Sequence, residues 1–477
     1  MSDKTKPTVL VLGGLGFIGR NFVTYLIEND LASEIRVVDK VLLITTALNV
    51  RQKAAFSKVD VKQKDLADPV SISAVHERED GSSYDYVFNL AAETKYSQNE
   101  KVYEERILGL SVRNAKEAAK RKVKVFVEVS TAEIYQSDKN PSKEDEKIKP
   151  WNVPAKYKYK AEEGLKNIEN LNLVILRPAM VYGLGATSGL APRLVCGRIY
   201  KYIKEEMKFL WTKDLKINTV HVTDVCRALW HIAKWYESNN KAGKGPVIYN
   251  LADKGNTDQE RINKRIGSVF NIPTGFFGTL TSNFTQLNLD NAVEDINEKH
   301  MRPWAMLLRK NRIKNTPLSP YLDKELLYNN ALCVDGSKIE ETGFEYEVPQ
   351  VTDEKLKEMV DDFIALGLWP VNPSILGDFM IELGEDKTID LSVAFRIAKL
   401  NKLLTEVSNT KNVKNIKKNR VKKKERVILE TKNKRGNSDK VDEVGNINKN
   451  NILGFEVRVF YFVGTEERRF TLFCRIM

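Results

Sequence analysis

Cysteine and histidine are scarce in this sequence, which holds four of each in 477 residues. The four cysteines lie far apart, with neither the spacing of metal ligands nor that of a disulfide framework. We therefore expect reduced thiols, no metal site and a cytoplasmic protein. The cysteines are Cys196, Cys226, Cys333 and Cys474.

Long apolar runs are also missing. Nowhere do about 18 apolar residues follow one another without a charge, which argues against a membrane-spanning helix. The first apolar run, in MSDKTKPTVL, leads into a glycine-punctuated strand and helix, so we expect no secretory signal. With 42% hydrophobic residues the chain has the composition of a globular protein, and its length suffices for two or three domains.

Charge is also distributed unevenly along the chain. The net charge is +12, but residues 399–449 alone hold 16 basic and 6 acidic residues. The rest of the chain is close to neutral and need not bind a polyanion. The basic run KNIKKNRVKKKERV (414–427) lacks interleaved aromatic residues, which favours a solvated, flexible segment. Nuclear localisation or nucleic-acid binding through this tail is the alternative.

Short apolar runs alternate with amphipathic stretches between residues 8 and 250. Runs that are apolar throughout, separated by helices, are typical of a parallel sheet covered on both faces. The pattern predicts an α/β fold, a doubly wound parallel-sheet Rossmann domain. The strand candidates are 8–14, 34–40, 84–92, 123–131, 171–179 and 247–253, and the helix candidates include 17–30 and 102–121.

Interruptions of this pattern divide the chain. The Rossmann core is predicted over residues 1–183, and residues 219–253 return to it. Residues 184–218 and 254–370 depart from the pattern and are predicted to form a smaller substrate-binding lobe. A C-terminal extension follows at 371–477, with a basic disordered linker at 408–450 and a possible hairpin at 452–477.

The stretch GGLGFIG joins the first strand to the first helix and holds Gly13, Gly16 and Gly19. Glycine lets the chain turn tightly, lets the backbone approach a pyrophosphate and lets the helix pack on the strand. The helix begins at Phe17 and Ile18, so its unpaired N–H groups would face the phosphates. The alternative is a tight turn without a ligand.

Asp39 ends the next strand about 20 residues later. Its carboxylate would accept hydrogen bonds from the adenosine ribose hydroxyls, and its charge would repel a 2′-phosphate. We therefore predict NAD rather than NADP as the cofactor, with Lys40 and Arg20 as neighbours that weaken this preference.

These segments resemble the extended short-chain dehydrogenase/reductases, the family that holds nucleotide-sugar epimerases and dehydratases. The segments KDLAD, NLAAET, EVSTAEIY, RPAMVYGLG, VHVTDVCRAL and YNLAD follow in the family's order, and the resemblance covers roughly residues 7–370. It implies that Asp65 and Leu66 lie beside the adenine of the cofactor. It also implies that Ala91 and Ala92 leave room for the cofactor.

The resemblance further implies hydride transfer between NAD and a sugar carbon. In the family a tyrosine, a lysine four residues later on the same helix face, and a Ser or Thr hydroxyl assist this step. Counting back four residues from Tyr135 gives Thr131 as the hydroxyl, the alternative being a threonine that bonds only backbone. Glu133 stands where dehydratases of the family carry a base, but Ala132 replaces the acid beside it and puts simple dehydration in doubt.

The tyrosine of this constellation is missing from WNVPAKYKYKAEEGL, residues 151–165. If Lys158 is the cofactor lysine, the tyrosine position holds Pro154; if Lys160 is chosen, it holds Lys156. Lys158 is preferred because Glu162 then falls where the family often has a helix glutamate.

A second departure from the family is Arg106, which stands in place of an asparagine that helps to seat the lysine. Two tyrosines are candidates for a replacement acid: Tyr135 beside the predicted site, and Tyr157 three residues before Lys160. A rebuilt active enzyme and a cofactor-binding protein that no longer turns over are both compatible with this pattern.

Substrate-binding candidates lie in the predicted lobe. Arg193, in GLAPRLVCGRIYKYI, offers paired donors to a phosphate or a carboxylate, the alternative being a surface arginine without a ligand. Asn218 is a candidate for bonding a sugar hydroxyl, and His221 is interpreted as a packed histidine. Core filling rather than base stacking is expected of the aromatic residues Phe209, Trp211 and Trp304.

Together these observations predict an NAD-dependent oxidoreductase or epimerase-like protein that acts on a nucleotide-sugar or a similar polar carbonyl or alcohol. The alternative is a catalytically inactive NAD-binding sensor or scaffold. The resemblance also implies a homodimer, packed through the helices at 102–121 and 154–168.

Overall fold

The computed structural model describes residues 6–137, 139–239, 243–277 and 289–371, together with the backbone of two strands at 454–463 and 466–475. The chain divides into two compact units, residues 1–399 and 400–477. In the second unit the two strands, Gly454–Val463 and Glu466–Arg475, pair antiparallel. The basic linker predicted at 408–450 lies outside the described residues.

A seven-stranded parallel sheet forms the centre of the first unit. The prediction of a doubly wound Rossmann fold is therefore confirmed. Neighbour by neighbour, the strands are β10 (Val247–Leu251), β6 (Leu173–Pro178), β5 (Val125–Val129), β4 (Tyr86–Asn89), β1 (Thr8–Leu12), β2 (Glu34–Asp39) and β3 (Asp60–Gln63).

Helices cover both faces of this sheet because residues of its strands point alternately to opposite sides. Val9 and Val11 of β1 pack with residues of one face, and Leu10 and Leu12 pack with those of the other. The helices are α1 (Phe17–Glu28), α2 (Val50–Phe56), α3 (Pro69–His76), α4 (Glu100–Tyr103), α5 (Leu110–Lys120), α6 (Val153–Lys166), α7 (Ala191–Ile203), α8 (Val222–Ser238), α9 (Gln259–Phe270), α10 (Leu289–Lys310) and α11 (Asp353–Ala365).

The helix expected at 102–121 is present but interrupted. A π-helical segment, Glu104–Gly109, separates α4 from α5. A π turn accommodates one extra residue within a helix, and such turns are frequent at functional sites. Arg106, the residue that departs from the family pattern, lies inside this segment.

The lobe beside the sheet has a hydrophobic core of its own, built from residues 182–217 and 262–369. Two short parallel strand pairs belong to this region: β7 (Met180–Tyr182) with β9 (Thr219–His221), and β8 (Met207–Phe209) with β11 (Thr274–Phe276). Among the described residues, no helix combines the length and apolar character that crossing a bilayer requires.

Candidate cofactor and substrate site

The glycine loop lies at the carboxyl end of β1, where the strand order of the sheet reverses between β1 and β4. Gly13 has a φ of +75°, and a Cβ there would lie 2.6 Å from the backbone nitrogen of Ala91. A Cβ on Gly19 would collide with the carbonyl oxygen of Gly13. These two positions require glycine because backbone passes directly against them.

Gly16 has a different environment. It is the N-cap residue of α1, with φ −65° and ψ 175°, and it offers no side chain to cap the helix. A Cβ on Gly16 would lie 3.2 Å from the carbonyl oxygen of Gly13 and near nothing else. The first N–H groups of the helix, at Phe17 and Ile18, therefore point out of an uncapped end, as an anion such as pyrophosphate requires.

Asp39, the last residue of β2, is buried beside this loop. Its carboxylate accepts hydrogen bonds from the backbone N–H of Leu15 and of Val41, each at 3.0 Å. Each carboxylate oxygen can accept a further bond. The contacts fix the carboxylate beside the glycine loop, in the place where a ribose of a dinucleotide would need an acceptor.

Asp65 and Arg106 form an ion pair with a shortest separation of 3.0 Å. Burial raises the pKa of Asp65, but the backbone N–H of Ala67 and the guanidinium of Arg106 outweigh it and leave the pKa below its usual value. Leu66 is buried next to this pair, and Ala91 and Ala92 are half-buried. Arg106 therefore contacts the residue that the family resemblance places beside adenine.

Lys158 extends from α6 to the end of β5. Its ammonium group donates to the carbonyl oxygen of Val129 at 2.6 Å and to Glu128 Oε1 at 3.2 Å. Glu128 is fully buried and also accepts hydrogen bonds from Asn89 at 2.6 Å and Ser111 at 3.0 Å. Burial raises the pKa of Glu128, against the opposing effect of Lys158 and the two hydrogen bonds.

Thr131 and Glu133 follow directly after β5. The Thr131 hydroxyl accepts a hydrogen bond from the backbone N–H of Glu133 at 3.2 Å and caps the short 3-10 helix Ala132–Ile134. This is the backbone-bonding role named above as the alternative for Thr131. Glu133 accepts a hydrogen bond from Asn152 Nδ2 at 2.8 Å, and burial raises its pKa.

Tyr135 lies away from these groups, in a buried network. Its hydroxyl donates to Asn250 Oδ1 at 2.8 Å and accepts from Arg177 at 2.6 Å. Arg177 is itself paired with the buried Glu162. Burial raises the pKa of Tyr135 to about 12. The Tyr135 side chain is 1% exposed, so its hydroxyl faces protein rather than a substrate space.

Tyr157 points to the opposite side of α6 from this network. Its ring stacks on Tyr103, and its hydroxyl donates to Glu100 at 3.0 Å. Lys160 lies above the same ring, 4.4 Å from its centroid. Pro154, at the tyrosine position of the preferred alignment, occupies the first turn of α6. The structure thus places both candidate tyrosines in packing contacts.

A cavity of about 250 Å³ lies in the lobe and extends to Glu133, in the short 3-10 helix that follows β5. Side chains of α7 line one wall, among them Arg193, Cys196 and Tyr200. Most of the remaining wall is apolar, formed by residues such as Phe209 and Leu327. An apolar cavity with a few polar side chains is typical of a small-molecule site.

Asn218 and His221 take no part in this cavity wall. The Asn218 amide bonds Thr257, Asn256 and the backbone N–H of Val334. His221 is buried and accepts from the backbone N–H of Thr223, which agrees with its interpretation as a packed histidine.

Core filling is what the structure shows for Trp304, whose indole N–H donates to Leu318. Trp211 is also buried, with its indole N–H donating to Leu327, and Phe209 packs against the lobe core. Both residues line the cavity as well.

Two residues of the site were not expected from the sequence. Glu128 had a visible signal, since a lone acid interrupts the apolar strand VFVEV. Trp151 also lines the cavity, but nothing in its local sequence distinguishes it from a core aromatic residue.

Comparison with known proteins agrees with this arrangement. The sequence model of the NAD dependent epimerase/dehydratase family matches residues 9–252. The chain belongs to this family. The predicted resemblance is thereby confirmed, and NAD, the predicted cofactor, agrees with the family.

One curated relative is a "Putative UDP-glucose 4-epimerase" of Methanocaldococcus jannaschii, 26% identical over 261 residues, which are 51% of this chain and 80% of that protein. Among solved structures, a UDP-N-acetylglucosamine 4-epimerase from Methanobrevibacter ruminantium M1, in complex with UDP-N-acetylmuramic acid, has a TM-score of 0.54 at 18% identity. It covers 76% of this chain and 99% of its own. MoeE5, in complex with UDP-glucose and NAD, has a TM-score of 0.51 at 17% identity, with 74% and 98% covered. These likenesses show a shared fold.

Within the described residues, no group of histidine, cysteine and acidic side chains is arranged to hold a metal ion. Cys196, Cys226 and Cys333 are buried, and none of them forms a disulfide among the described residues.

Proposed function

We propose that the protein binds NAD at the glycine loop and transfers hydride to and from a nucleotide-sugar or a similar polar carbonyl or alcohol. The main support for NAD binding is the uncapped N-terminus of α1, which lies beside the fixed carboxylate of Asp39. The N–H groups of Phe17 and Ile18 would hold the pyrophosphate, and Asp39 would hold a ribose. When bound, NAD supplies a hydride acceptor or donor.

The proposal of a nucleotide-sugar substrate is supported by the cavity and by the ligands of similar proteins. Both structural neighbours described above were solved with UDP-linked ligands. The cavity extends to Glu133, next to the carboxyl end of β5. A substrate in the cavity would therefore lie close to the predicted cofactor site.

Proton transfer needs a group other than the missing tyrosine. Glu133 fits because its carboxyl lines the cavity, and burial raises its pKa above the ordinary value, which favours the protonated form that can donate a proton. Asn152 holds this carboxyl in place through a hydrogen bond. Lys158, held at the end of β5, would bind a cofactor hydroxyl.

A second candidate function is an NAD-binding sensor or scaffold without turnover. The observation that favours it is the position of the two tyrosines, since Tyr135 and Tyr157 both donate their hydroxyls to protein groups. The two functions share the cofactor site and differ in whether bound NAD is ever reduced.

A fluorescence titration with NADH and NADPH tests NAD binding. We expect NADH to bind more tightly than NADPH, and Asp39→Asn to reduce the NADH affinity at least about tenfold. Asp85→Asn is a matched control, because Asp85 also accepts a backbone N–H, from Thr8, but lies at the amino end of the sheet. Absence of NADH binding by the wild-type protein would contradict the proposal.

Absorbance at the wavelength of reduced nicotinamide, together with NMR of the sugar products, tests turnover. The NAD-loaded protein is incubated with nucleotide-sugars, and we expect a signal that Glu133→Gln lowers by about 100-fold or more. NADH binding without reduction of NAD and without any change in the sugars of a nucleotide-sugar panel would instead support the sensor or scaffold.

Homodimerisation through α5 and α6 remains a prediction. The two helices pack on each other within the chain, with Gly164 against Val112. Their exposed residues include Lys116, Lys156 and Lys160.

A further inference from the structure

The guanidinium of Arg193 has a buried nitrogen that bonds no protein group in the described part of the chain. Arg193 lies in the first turn of α7 and lines the cavity of the lobe. Its Nη1 atom is buried and makes no hydrogen bond, and no carboxylate of the described residues lies within ion-pair distance of the guanidinium. The guanidinium lies over the ring of Phe209, 5.4 Å from its centroid.

Such an arrangement costs stability, because a buried charge needs a partner to offset the loss of hydration. Burial lowers the pKa of Arg193 to about 10, so the side chain remains charged at neutral pH. Arg177 and Arg198, which are buried, bond protein groups: Arg177 pairs with Glu162, and Arg198 donates to the carbonyl oxygen of Pro370. Arg20 and Arg113 each have a buried Nε without a partner among the described residues, but their Nη atoms donate to backbone carbonyls. We therefore consider a bound ligand as the partner that Arg193 lacks.

A second unpaired donor lines the same cavity. Trp151 Nε1 is buried and has no hydrogen-bond partner. The indole N–H can only donate, as can a guanidinium. Two buried donors without acceptors, in one cavity of about 250 Å³, point to a ligand that brings acceptor oxygens.

The other charges of the cavity do not meet this need. Lys208 and Lys299 pair with Glu206 and Glu205. The lining carboxylates of Glu133 and Glu325 accept hydrogen bonds from Asn152 and Ser97, and neither forms an ion pair with Arg193. The remaining wall is largely apolar and suits the less polar part of a ligand, so the unmet requirement of the cavity is an oxyanion at Arg193 and Trp151.

We propose that Arg193 and Trp151 form an oxyanion-recognition point that holds a phosphate or carboxylate group of the ligand in this cavity. The guanidinium contacts the charged group, and the indole N–H donates to one of its oxygens. The inference rests on the proposed function in one respect, namely that the ligand of this cavity is the substrate.

Calorimetric titrations with UDP, uridine and glucuronate test the proposal and separate the two sources of the oxyanion. We expect the wild type to bind UDP at least about tenfold more tightly than uridine if the anion is a phosphate, or to bind glucuronate if it is a carboxylate. Arg193→Met should abolish that preference, and Trp151→Phe should weaken it several-fold. Lys201→Met, on the exposed side of α7, should leave it unchanged.

Binding of neither UDP nor glucuronate by the wild type, or equal binding by wild type and Arg193→Met, would overturn the proposal. NADH titration of the same variants reports separately on the NAD site of the proposed function. If the protein binds NADH but no oxyanion, the proposed NAD site is supported and the oxyanion site is contradicted. If it binds oxyanions but no NADH, the oxyanion site is supported and the NAD site is contradicted.

Unfolding of the ligand-free protein in urea gives a second test. Substitutions of two arginines in α7 should shift the urea midpoint in opposite directions. Arg193→Met should raise the midpoint, because it removes a poorly hydrated charge whose buried Nη1 has no acceptor among the described residues. Arg198→Met should lower it, because it leaves the carbonyl of Pro370 without its donor. If both substitutions lower the midpoint equally, Arg193 has a structural role and the proposal fails.

Discussion

Tyr135 has the spacing from Thr131 that the family pattern requires, but its side chain does not point toward the predicted substrate site. Its hydroxyl lies between Asn250 and Arg177. The direction of the side chain depends on Arg177 and Asn250, which come from β6 and β10. Local sequence carries no signal for contacts that are made 42 and 115 residues away.

We expect Tyr135→Phe to affect stability and to leave NADH binding unchanged. The substitution leaves a buried Arg177 donor and the Asn250 acceptor unpaired, which costs about 1–3 kcal/mol. Urea unfolding measures the loss. Tyr157→Phe is the matched control with a smaller expected effect, because Glu100, its hydrogen-bond partner, is exposed and can bond water. A stable Tyr135→Phe protein with weaker NADH binding would show a role at the cofactor site.

Asp253 makes stability depend on pH. It is buried, accepts hydrogen bonds from Thr219 at 2.7 Å and from Gly255 at 2.9 Å, and lies near the buried Asp224. Burial raises its pKa from the ordinary 3.8 to about 6. The folded protein therefore holds this proton more tightly than the unfolded chain, and the stabilising contribution present below pH 4 is lost as pH rises through about 6.

Asp253→Asn should remove this dependence. Relative to the variant, the wild type should lose about 3 kcal/mol of unfolding free energy between pH 4 and pH 7. Urea unfolding across that range measures the difference. Asp85→Asn should show little pH dependence over this range, because Lys124 and Thr8 outweigh burial and hold the pKa of Asp85 below its usual value, so that its stabilising contribution is lost only below about pH 4. A pH-independent difference between wild type and Asp253→Asn would contradict the prediction.

At the scale of elements, the buried strands were predictable because both faces of the sheet are covered and each strand is an apolar run. The edge strand β3 was not, since its sequence DVKQ has one apolar residue and two of its four residues are exposed. The π segment was also missed, because RILG continues the helical periodicity of its neighbours. The glycine loop was recognisable because its spacing has a steric cause, whereas the cavity depends on packing between distant parts of the lobe.

Gly16 and Gly19 should respond differently to alanine. Gly19→Ala places a methyl group against the backbone of Gly13 and should cost about 3 kcal/mol or more. Gly16→Ala is compatible with its φ of −65° and should cost less than about 1 kcal/mol, yet its methyl group would stand where the helix end opens to a phosphate. We expect Gly16→Ala to fold normally and to lose at least about tenfold in NADH affinity. Unchanged NADH affinity in Gly16→Ala would place the cofactor elsewhere.

At the scale of the whole molecule, the first unit holds itself together up to Val371. Trp369 is 4% exposed and packs against Phe270 and Trp304. The backbone N–H of Val371 donates to Asn311 at 3.0 Å, and the preceding Pro370 carbonyl accepts from Arg198. These contacts close the lobe core from its carboxyl-terminal side.

Two truncations should therefore differ sharply. A chain ending at residue 371 should keep its thermal midpoint and NADH affinity. A chain ending at residue 367 loses Trp369 and the partner of Arg198, and it should be destabilised by about 3–5 kcal/mol. Thermal and urea unfolding of the two chains test the prediction. Equal destabilisation of both would show that residues beyond 371 contribute to the stability of this unit.

The pairing of Lys158 with buried Glu128 couples the cofactor to solvent protons. If NAD draws the ammonium group to a ribose hydroxyl, Glu128 loses the cation that lowers its pKa, and its buried carboxylate should take up a proton. The heat of NAD binding near pH 7 would then depend on the ionisation enthalpy of the buffer. Titrations in phosphate and in Tris should differ, and Glu128→Gln should abolish the difference. Identical heats for the wild type in both buffers would mean that Lys158 stays with Glu128 when the cofactor binds.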